Sequence, residues 1–299
     1  MKIAIILNGI SRKKKKFYQH FLPALDQKFS VDVFETRFSG HATQLAGEAV
    51  TKGFDAIISV GGDGTLNQVV NGMLKTQVAR LPMLGIVPLG SGNDFAAMMG
   101  ASANPAQLIQ QLEANKSTPV DIGKILCRDK EGNPVEKYFM NVCSVGMGPD
   151  TVKKLERSPR WLGPDIRYYT TIVNTFLTHK PEELEVRTAD WTWNGKARVL
   201  AIANGKSFGN KIYIAPNAKP DDGIFSTFIA TDMPLIKFLL LLQTLKGKKK
   251  VKDGSILYST ATELEITSPH ETMIEAEGEM AGYLPAKVVV KQGRINFLA

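Results

Sequence analysis

Cysteine is scarce: Cys127 and Cys143 are the only two in 299 residues. Their spacing matches no metal pattern and no disulfide framework, which excludes a disulfide-stapled scaffold and suits a reducing cytoplasm. Both read as small buried hydrophobes. Long hydrophobic runs are missing as well. The longest, Leu235 to Leu242, is broken by Lys237 and falls far short of the ~20 residues a span needs. The amino-terminal run Lys2–Leu7 is too short for a signal-peptide core and leads into Lys13–Lys16. The expectation is a soluble protein that meets a membrane only at its surface. No internal repeat or low-complexity segment occurs. No interleaved aromatic-basic motif or known binding module appears either, so nucleic-acid binding is disfavoured.

What is present is ordinary globular composition, 43% hydrophobic and 22% charged, with 37 basic against 29 acidic residues. The net charge of +8 favours anionic partners: nucleotides, nucleic acid or an acidic membrane surface. The length suits one large or two ordinary domains.

The chain is organised around Asp55–Asn67, which reads DAIISVGGDGTLN. Its first half is a short β-branched run, as in a parallel strand buried on both faces. After Gly61-Gly62-Asp63-Gly64, a 3.6-residue period puts Leu66, Val69, Val70, Met73 and Leu74 on one helical face. Strand, glycine turn and helix N-terminus together form an anion site. Backbone N–H groups reach a phosphate with no Cβ in the way, and the helix dipole favours negative charge. The turn lacks the spacing and lysine of a P-loop. Asn67 stands where a dinucleotide fingerprint has its third glycine. Simple helix capping by Asp63 explains less than three glycines with an adjacent hydroxyl.

Other early strands are expected at Ile3–Leu7, Val31–Thr36 and Met83–Val87, with helices at Phe17–Phe29, His41–Lys52 and Phe95–Met99. A second turn, Gly90-Ser-Gly-Asn-Asp94, precedes the last of these. Such alternation indicates a doubly wound, mostly parallel α/β domain whose polar loops gather beyond the strand ends. After about residue 120 the texture becomes β-rich. Strands are expected at Val120–Leu126, Lys137–Val145, Leu184–Trp193, Ala197–Ala203, Lys211–Ala215, Ile224–Ala230, Glu263–Thr267, Thr272–Ala276 and Lys287–Val290. Helices are expected at Asp165–Thr178 and Pro234–Lys246. The reading is an α/β domain over 1–122, then an antiparallel β-sandwich-like domain over 123–290, with a cleft between them. The tail from about 291 to 299 is expected to return to the first domain.

The ordered motifs resemble a known family. Gly61–Asn67, followed by Pro88-Leu-Gly-Ser-Gly-Asn-Asp-Phe-Ala96, is similar to the diacylglycerol kinase catalytic domain. The likeness is greater still to the soluble bacterial diacylglycerol kinase-like lipid kinases, relatives of sphingosine and ceramide kinases. It continues through Phe139-Met-Asn141, Asn204-Gly205, Ala215-Pro…Asp221-Asp-Gly223 and Glu277-Gly-Glu279. The double-glycine motif alone also occurs in NAD kinases and phosphofructokinases.

The resemblance implies phosphoryl transfer from ATP with Mg²⁺ to a lipid hydroxyl, most simply that of diacylglycerol or a related glycerolipid. It implies that Gly61, Gly62, Asp63, Gly64, Thr65 and Asn67 hold the ATP phosphates, with Asp63 near the metal or nucleotide. Thr36, Gly90, Ser91 and Asn93 would be further nucleotide contacts. Glu279 matches the general base, and Asp94 and Asp222 match carboxylates networked with it. Asp222, with main-chain oxygens of Lys219 and Ile224, matches a magnesium site of the oxygen type a hard cation takes. Read without the resemblance, Asp222-Gly223 is an ordinary hairpin turn and Glu279 a solvated turn residue.

The chain departs from the family at several places. Gly9 stands for a proline, Ser91 for a threonine, Ala97 for an arginine, Gly209-Asn-Lys211 for a triple glycine, and Glu277 for an aspartate. These leave two alternatives open: an NAD kinase-like soluble kinase, or a non-catalytic nucleotide- or lipid-binding protein on the same fold. The basic runs Lys13–Lys16 and Lys246–Lys252 read as solvated loops, or as attraction to anionic headgroups. The expected location is cytoplasmic and peripheral at the inner membrane face, and a homodimer is compatible with the chain.

Overall fold

Four short apolar runs build the first sheet: β1 (Lys2–Leu7), β2 (Ser30–Glu35), β3 (Ala56–Gly61) and β4 (Met83–Pro88). They lie in the order β4-β3-β1-β2 and pair in parallel, with Ile5 opposite both Val33 and Ile58. Every residue of β3 is buried, which is why its sequence is apolar throughout rather than alternating. β2, at the end of this order, shows the weaker pattern of a strand half open to solvent. The computed structural model describes residues 1–298 other than Gln77, Ser91, 159–162 and Asn210, and only the backbone at 164 and 165.

The connections are helical. A helical stretch formed by α1 (Lys14–Lys16), a π-helical turn at Phe17–Phe21 and α2 (Leu22–Asp26) buries Phe17, Phe21 and Leu25 against β1 and β3 residues. α3 (His41–Thr51) and α4 (Asp63–Lys75) follow β2 and β3. α4 buries Leu66, Val69, Val70, Met73 and Leu74, the face expected from periodicity. α5 (Asp94–Met98) and α6 (Pro105–Ala114) follow β4. α6 was not among the expected helices, although Asn104 caps it by accepting the N–H of Ala106 and Pro105 opens it.

The chain divides into two compact units, Met1–Val120 with Gln292–Ala299, and Asp121–Lys291. The second is antiparallel. Its strands are β5 (Ser117–Arg128, beginning in the first unit), β6 (Pro134–Phe139), β7 (Val142–Gly146), β8 (Glu182–Arg187), β9 (Thr192–Ala203), β10 (Phe225–Thr231), β11 (Ile256–Ala261), β12 (Glu263–Thr267), β13 (Met273–Ala276) and β14 (Glu279–Leu298, ending in the first unit, where Phe297 pairs in parallel with Leu84 of β4). Alternation sorts their side chains into two cores. Cys143, Val145, Leu200, Ile202 and Ile229 enter one; Val142, Ala201, Ala203, Phe228 and Ala230 enter the other. The second core is shared with α8 (Pro164–Thr178) and α9 (Leu235–Lys246), through Phe176, Leu241, Leu242 and Leu245. α7 (Met147–Arg157) follows β7 directly. Among the described residues no helix is long and apolar enough to cross a membrane.

Several expected elements change. Lys211–Ala215 is not a strand; only an isolated bridge joins Phe208 and Ile212, and the loop buries Ile212, Ile214 and Ala215 in the helix-side core. Lys137–Val145 is two strands broken at Met140-Asn141, whose N–H groups turn to a side chain. Leu184–Trp193 is divided between β8 and β9 by a turn in which Thr188 accepts the N–H of Trp191. β14 runs through 20 residues where only Lys287–Val290 was expected.

Candidate active site

Because β1 to β4 are parallel, their carboxyl ends lie at one edge and the loops that follow them meet there. The contacts are specific. The side-chain amide of Asn8 donates to Thr65 Oγ1 at 3.2 Å, and the N–H of Gly9 donates to Thr36 Oγ1 at 3.1 Å. The N–H groups of Leu89 and Gly90 both donate to the carbonyl of Gly61, at 2.8 and 2.9 Å. Lys13 Nζ donates to the carbonyl of Gly90 at 3.2 Å.

The two glycine turns touch through their backbones. A Cβ on Gly90 would lie 2.3 Å from the Cα of Gly62, and one on Gly62 would lie 3.1 Å from the Cα of Gly90. No other residue type allows this approach. Asn93 takes the left-handed conformation, φ 59°, and its amide bridges the N–H and carbonyl of Gly90 at 3.1 Å each. α4 begins at Asp63, one residue past this contact, so its amino end and the glycine backbone face the same loop edge. The arrangement is a cradle that side chains would fill.

Asp63 joins the two turns through its side chain. Its carboxylate accepts the N–H of Asp94 at 3.1 Å and that of Phe95 at 3.4 Å, tying the first turn to the start of α5. Burial raises its pKa, and the negative charge of Asp94 adds to the rise, while the backbone donors oppose it. Asp94 is itself buried. Asn67 is buried within α4, where its carbonyl and side-chain oxygens accept from Asn71 Nδ2 at 2.9 and 3.1 Å. Ser91 lies outside the described residues.

The remaining expected residues belong to the second unit. β13 and β14 are joined by Glu277-Gly278, with φ of 54° and 84°, the signature of a primed two-residue turn. Ala276 pairs with Glu279, which opens β14 and is half-buried. Glu277 reaches back to β6 and β7: its carboxylate accepts the N–H groups of Met140 and Asn141 at 2.6 and 2.5 Å. Its own N–H donates to the carbonyl of Val142 at 3.0 Å. Glu277 is thus a structural strut across this gap.

Glu275 and Asp121, which sequence reasoning missed, organise the neighbourhood. Glu275 is buried; one oxygen accepts the Ser144 hydroxyl and the other the N–H of Gly278 at 3.0 Å. Burial pushes its pKa up to about 7. Asp121, buried in β5, accepts the N–H of Gly223 at 2.6 Å, and its own N–H donates to the carbonyl of Pro220 at 2.7 Å. Asn204 donates to the carbonyls of Asp121 and Met140 at 2.9 and 2.8 Å, so the stretches around Asn141, Asn204 and Asp222 are held together. A carboxylate inside an apolar run, as in Val120-Asp-Ile122, was the available signal for Asp121. Asp222 is exposed, and its Oδ1 accepts the N–H of Ile224 at 3.2 Å; Lys219 is exposed beside it. Among the described residues no group of three or more His, Cys, Asp or Glu could hold a metal ion.

Comparison with known proteins decides the family. Residues 2–125 match the diacylglycerol kinase catalytic domain, and residues 142–299 match the YegS C-terminal NAD kinase beta sandwich-like domain. The chain belongs to the diacylglycerol kinase-like lipid kinases. Such a kinase is a phosphotransferase with a hydroxyl acceptor, and ATP is its co-substrate. A diacylglycerol kinase of Bacillus subtilis is 26% identical over 295 residues, 97% of this lipid kinase and 93% of the relative. A probable lipid kinase YegS of Escherichia fergusonii is 27% identical, covering 92% and 88%. A solved diacylglycerol kinase structure from Bacillus anthracis shares the fold, with a TM-score of 0.72 at 21% identity and coverage of 99% and 96%. Yeast NADH kinase shares it more distantly, with a TM-score of 0.55 at 12% identity, covering 99% of this kinase and 82% of its own chain.

Proposed function

We propose that this kinase transfers the γ-phosphoryl group of ATP, with Mg²⁺, to the hydroxyl of diacylglycerol or a related glycerolipid at an anionic membrane surface. The observation that carries the ATP half is the backbone contact of Gly62 with Gly90. It leaves a glycine-lined edge at the amino end of α4, where N–H groups and helix dipole favour phosphate oxygens. Gly61, Gly62, Gly64, Thr65, Gly90, Ser91 and Asn93 would hold the phosphates, with Thr36 beside them. Asp63 shapes the cradle by clamping the Asp94 and Phe95 N–H groups.

Glu279 is the residue to take the proton from the acceptor hydroxyl, with Asp94 and Asp222 as supporting carboxylates. Asp222 with main-chain oxygens of Lys219 and Ile224 has the oxygen donor chemistry a magnesium ion takes. When bound, the ion would neutralise phosphate charge. The glutamate strut at Glu277 supports the same reading, since it fixes the turn that carries Glu279.

A membrane-facing role has support within the second unit. Phe176 of α8 stacks on Phe238 of α9 with ring centroids 4.1 Å apart, while Lys246 Nζ lies 5.9 Å from the Tyr169 ring. The helices therefore run antiparallel, late α8 beside early α9. Their outer sides expose Ile166, Tyr169 and Leu177, and Ile236 and Leu240. The run Lys246–Lys252 continues from α9 with five lysines. Apolar side chains beside clustered lysines suit an anionic lipid surface, each lysine contributing ~1 kcal/mol near it.

The test is incubation with labelled ATP, Mg²⁺, NAD and vesicles carrying diacylglycerol and other glycerolipids. Labelled lipid supports the proposal. Phosphorylated NAD with no labelled lipid would replace it with an NAD kinase-like reading.

A further inference from the structure

The turn between β13 and β14 carries glutamates at 275, 277 and 279. Glu277 braces the β6–β7 junction and Glu279 is the base proposed above. Glu275 has no part in either task, yet it is a carboxyl group placed in the core. It stands directly opposite Ser144 in the β13–β7 pair, on the sheet face shared with Val142 and Ala201. Around it are apolar neighbours, and Ile274 and Ala276 flank it in a strand whose composition a valine would continue. Burying a carboxyl there is costly unless its oxygens are used.

Both are used, one on β7 and one at the turn. One accepts the Ser144 hydroxyl, and the other accepts the N–H of Gly278, the residue immediately before Glu279. The first turn of α7 closes over the pair: a Cβ on Gly148 would lie 1.9 Å from Ser144 Oγ and 3.2 Å from Glu275 Oε1. The glycine there leaves room for this bond and little else. Primed turns with both central residues at positive φ are fixed by few interactions, and this bond restrains the second of them.

We propose that Glu275, oriented by Ser144, is a positioning residue that fixes the Gly278 backbone and so sets the direction in which Glu279 enters β14. The proposal rests on the reading of Glu279 as the base. A glutamine at 275 would preserve the restraint. Its amide oxygen accepts from Gly278 and its NH₂ donates to Ser144 Oγ. A leucine of similar volume would lose both bonds.

The experiment uses the full chain with Glu275→Leu, Glu275→Gln, Ser144→Ala and Glu279→Gln. Hydrogen–deuterium exchange of the 276–280 segment is read beside steady-state lipid phosphorylation with ATP varied. Glu275→Leu should speed exchange of the turn and lower kcat about tenfold or more, with the KM for ATP unchanged. Glu275→Gln should restore both. Should the leucine variant fail to fold, Ser144→Ala carries the same test by removing one hydroxyl. Wild-type exchange at the turn in Glu275→Leu, or a loosened turn with wild-type kcat while Glu279→Gln is inactive, overturns the proposal. Full activity in Glu279→Gln overturns it too, by removing the base reading on which it rests. The exchange data distinguish that failure from a turn Glu275 never held.

Discussion

The carboxylate of Asp63 accepts the backbone N–H of Asp94 at 3.1 Å, so a side chain as well as a backbone contact ties the two glycine turns together. The same two residues repel each other as charges, and burial deepens the cost of ionising Asp63. Replacement by alanine removes the acceptor that the Asp94 and Phe95 N–H groups share. The expected loss is about 1–3 kcal/mol in urea unfolding, with Asp63→Asn losing less because it keeps one acceptor oxygen. Equal stability of both variants with the wild type would contradict this account of the clamp.

Gly90 tests the cradle directly. Gly90→Ala places a methyl 2.3 Å from the Cα of Gly62, where only backbone can yield. ATP affinity, measured calorimetrically, should fall at least tenfold, and the overpacking should cost about 1–3 kcal/mol. Binding of the protein to anionic vesicles should not change. An ATP affinity equal to wild type would remove the contact from the nucleotide site.

Glu277 should behave as a strut. Glu277→Ala leaves the N–H groups of Met140 and Asn141 without their acceptor, at an expected cost of about 2–4 kcal/mol. Glu277→Asp keeps the carboxylate but shortens the reach by one methylene, and should recover only part of that stability in the same unfolding measurement. Full recovery would show that the reach of glutamate is not what the junction needs.

Glu275 gives the protein a defined pH response. Its pKa in the folded chain, about 7, lies above the ordinary glutamate value, so folding favours the protonated form. That contribution to stability is complete below the ordinary value and is lost as pH rises through about 7. Its hydrogen-bonding neighbours are the Ser144 hydroxyl on β7 and the Gly278 N–H in the turn. Between pH 4.5 and 7.5 the Tm of the wild type should fall relative to Glu275→Gln, by an amount on the order of 3 kcal/mol in stability. Asp63 changes stability in the same direction, which is why the comparison is with the variant and not with a fixed pH. Parallel Tm curves for the two proteins would show that Glu275 does not titrate in this range.

Some elements were legible in the sequence for plain physical reasons. β3 and α4 show as an unbroken apolar run followed by a 3.6-residue period, because both bury whole faces in the core. Lys211–Ala215 misled because a loop folded onto a core alternates as a strand does. α7 was missed because it opens Met147-Gly-Pro149 directly after a Gly146 cap, residues that usually interrupt a helix but are tolerated at its start. The strand break at Met140-Asn141 depends on a side chain 136 residues away, which no local pattern reports. At the site, the two glycine turns were readable singly, and their contact through Gly62 and Gly90 was not. Glu275 sat unremarked inside the expected strand Thr272–Ala276, since burial of a carboxylate is a tertiary fact.

The central claim is that Glu279 takes the acceptor proton in a lipid phosphorylation driven by ATP. Wild type and Glu279→Gln are compared with labelled ATP, Mg²⁺ and diacylglycerol vesicles, and ATP binding is measured on both. Labelled lipid from the wild type and a rate ~10²–10⁴-fold lower in the variant, with ATP affinity unchanged, is the expected result. Equal rates in the two proteins, or no labelled lipid from the wild type, would contradict it.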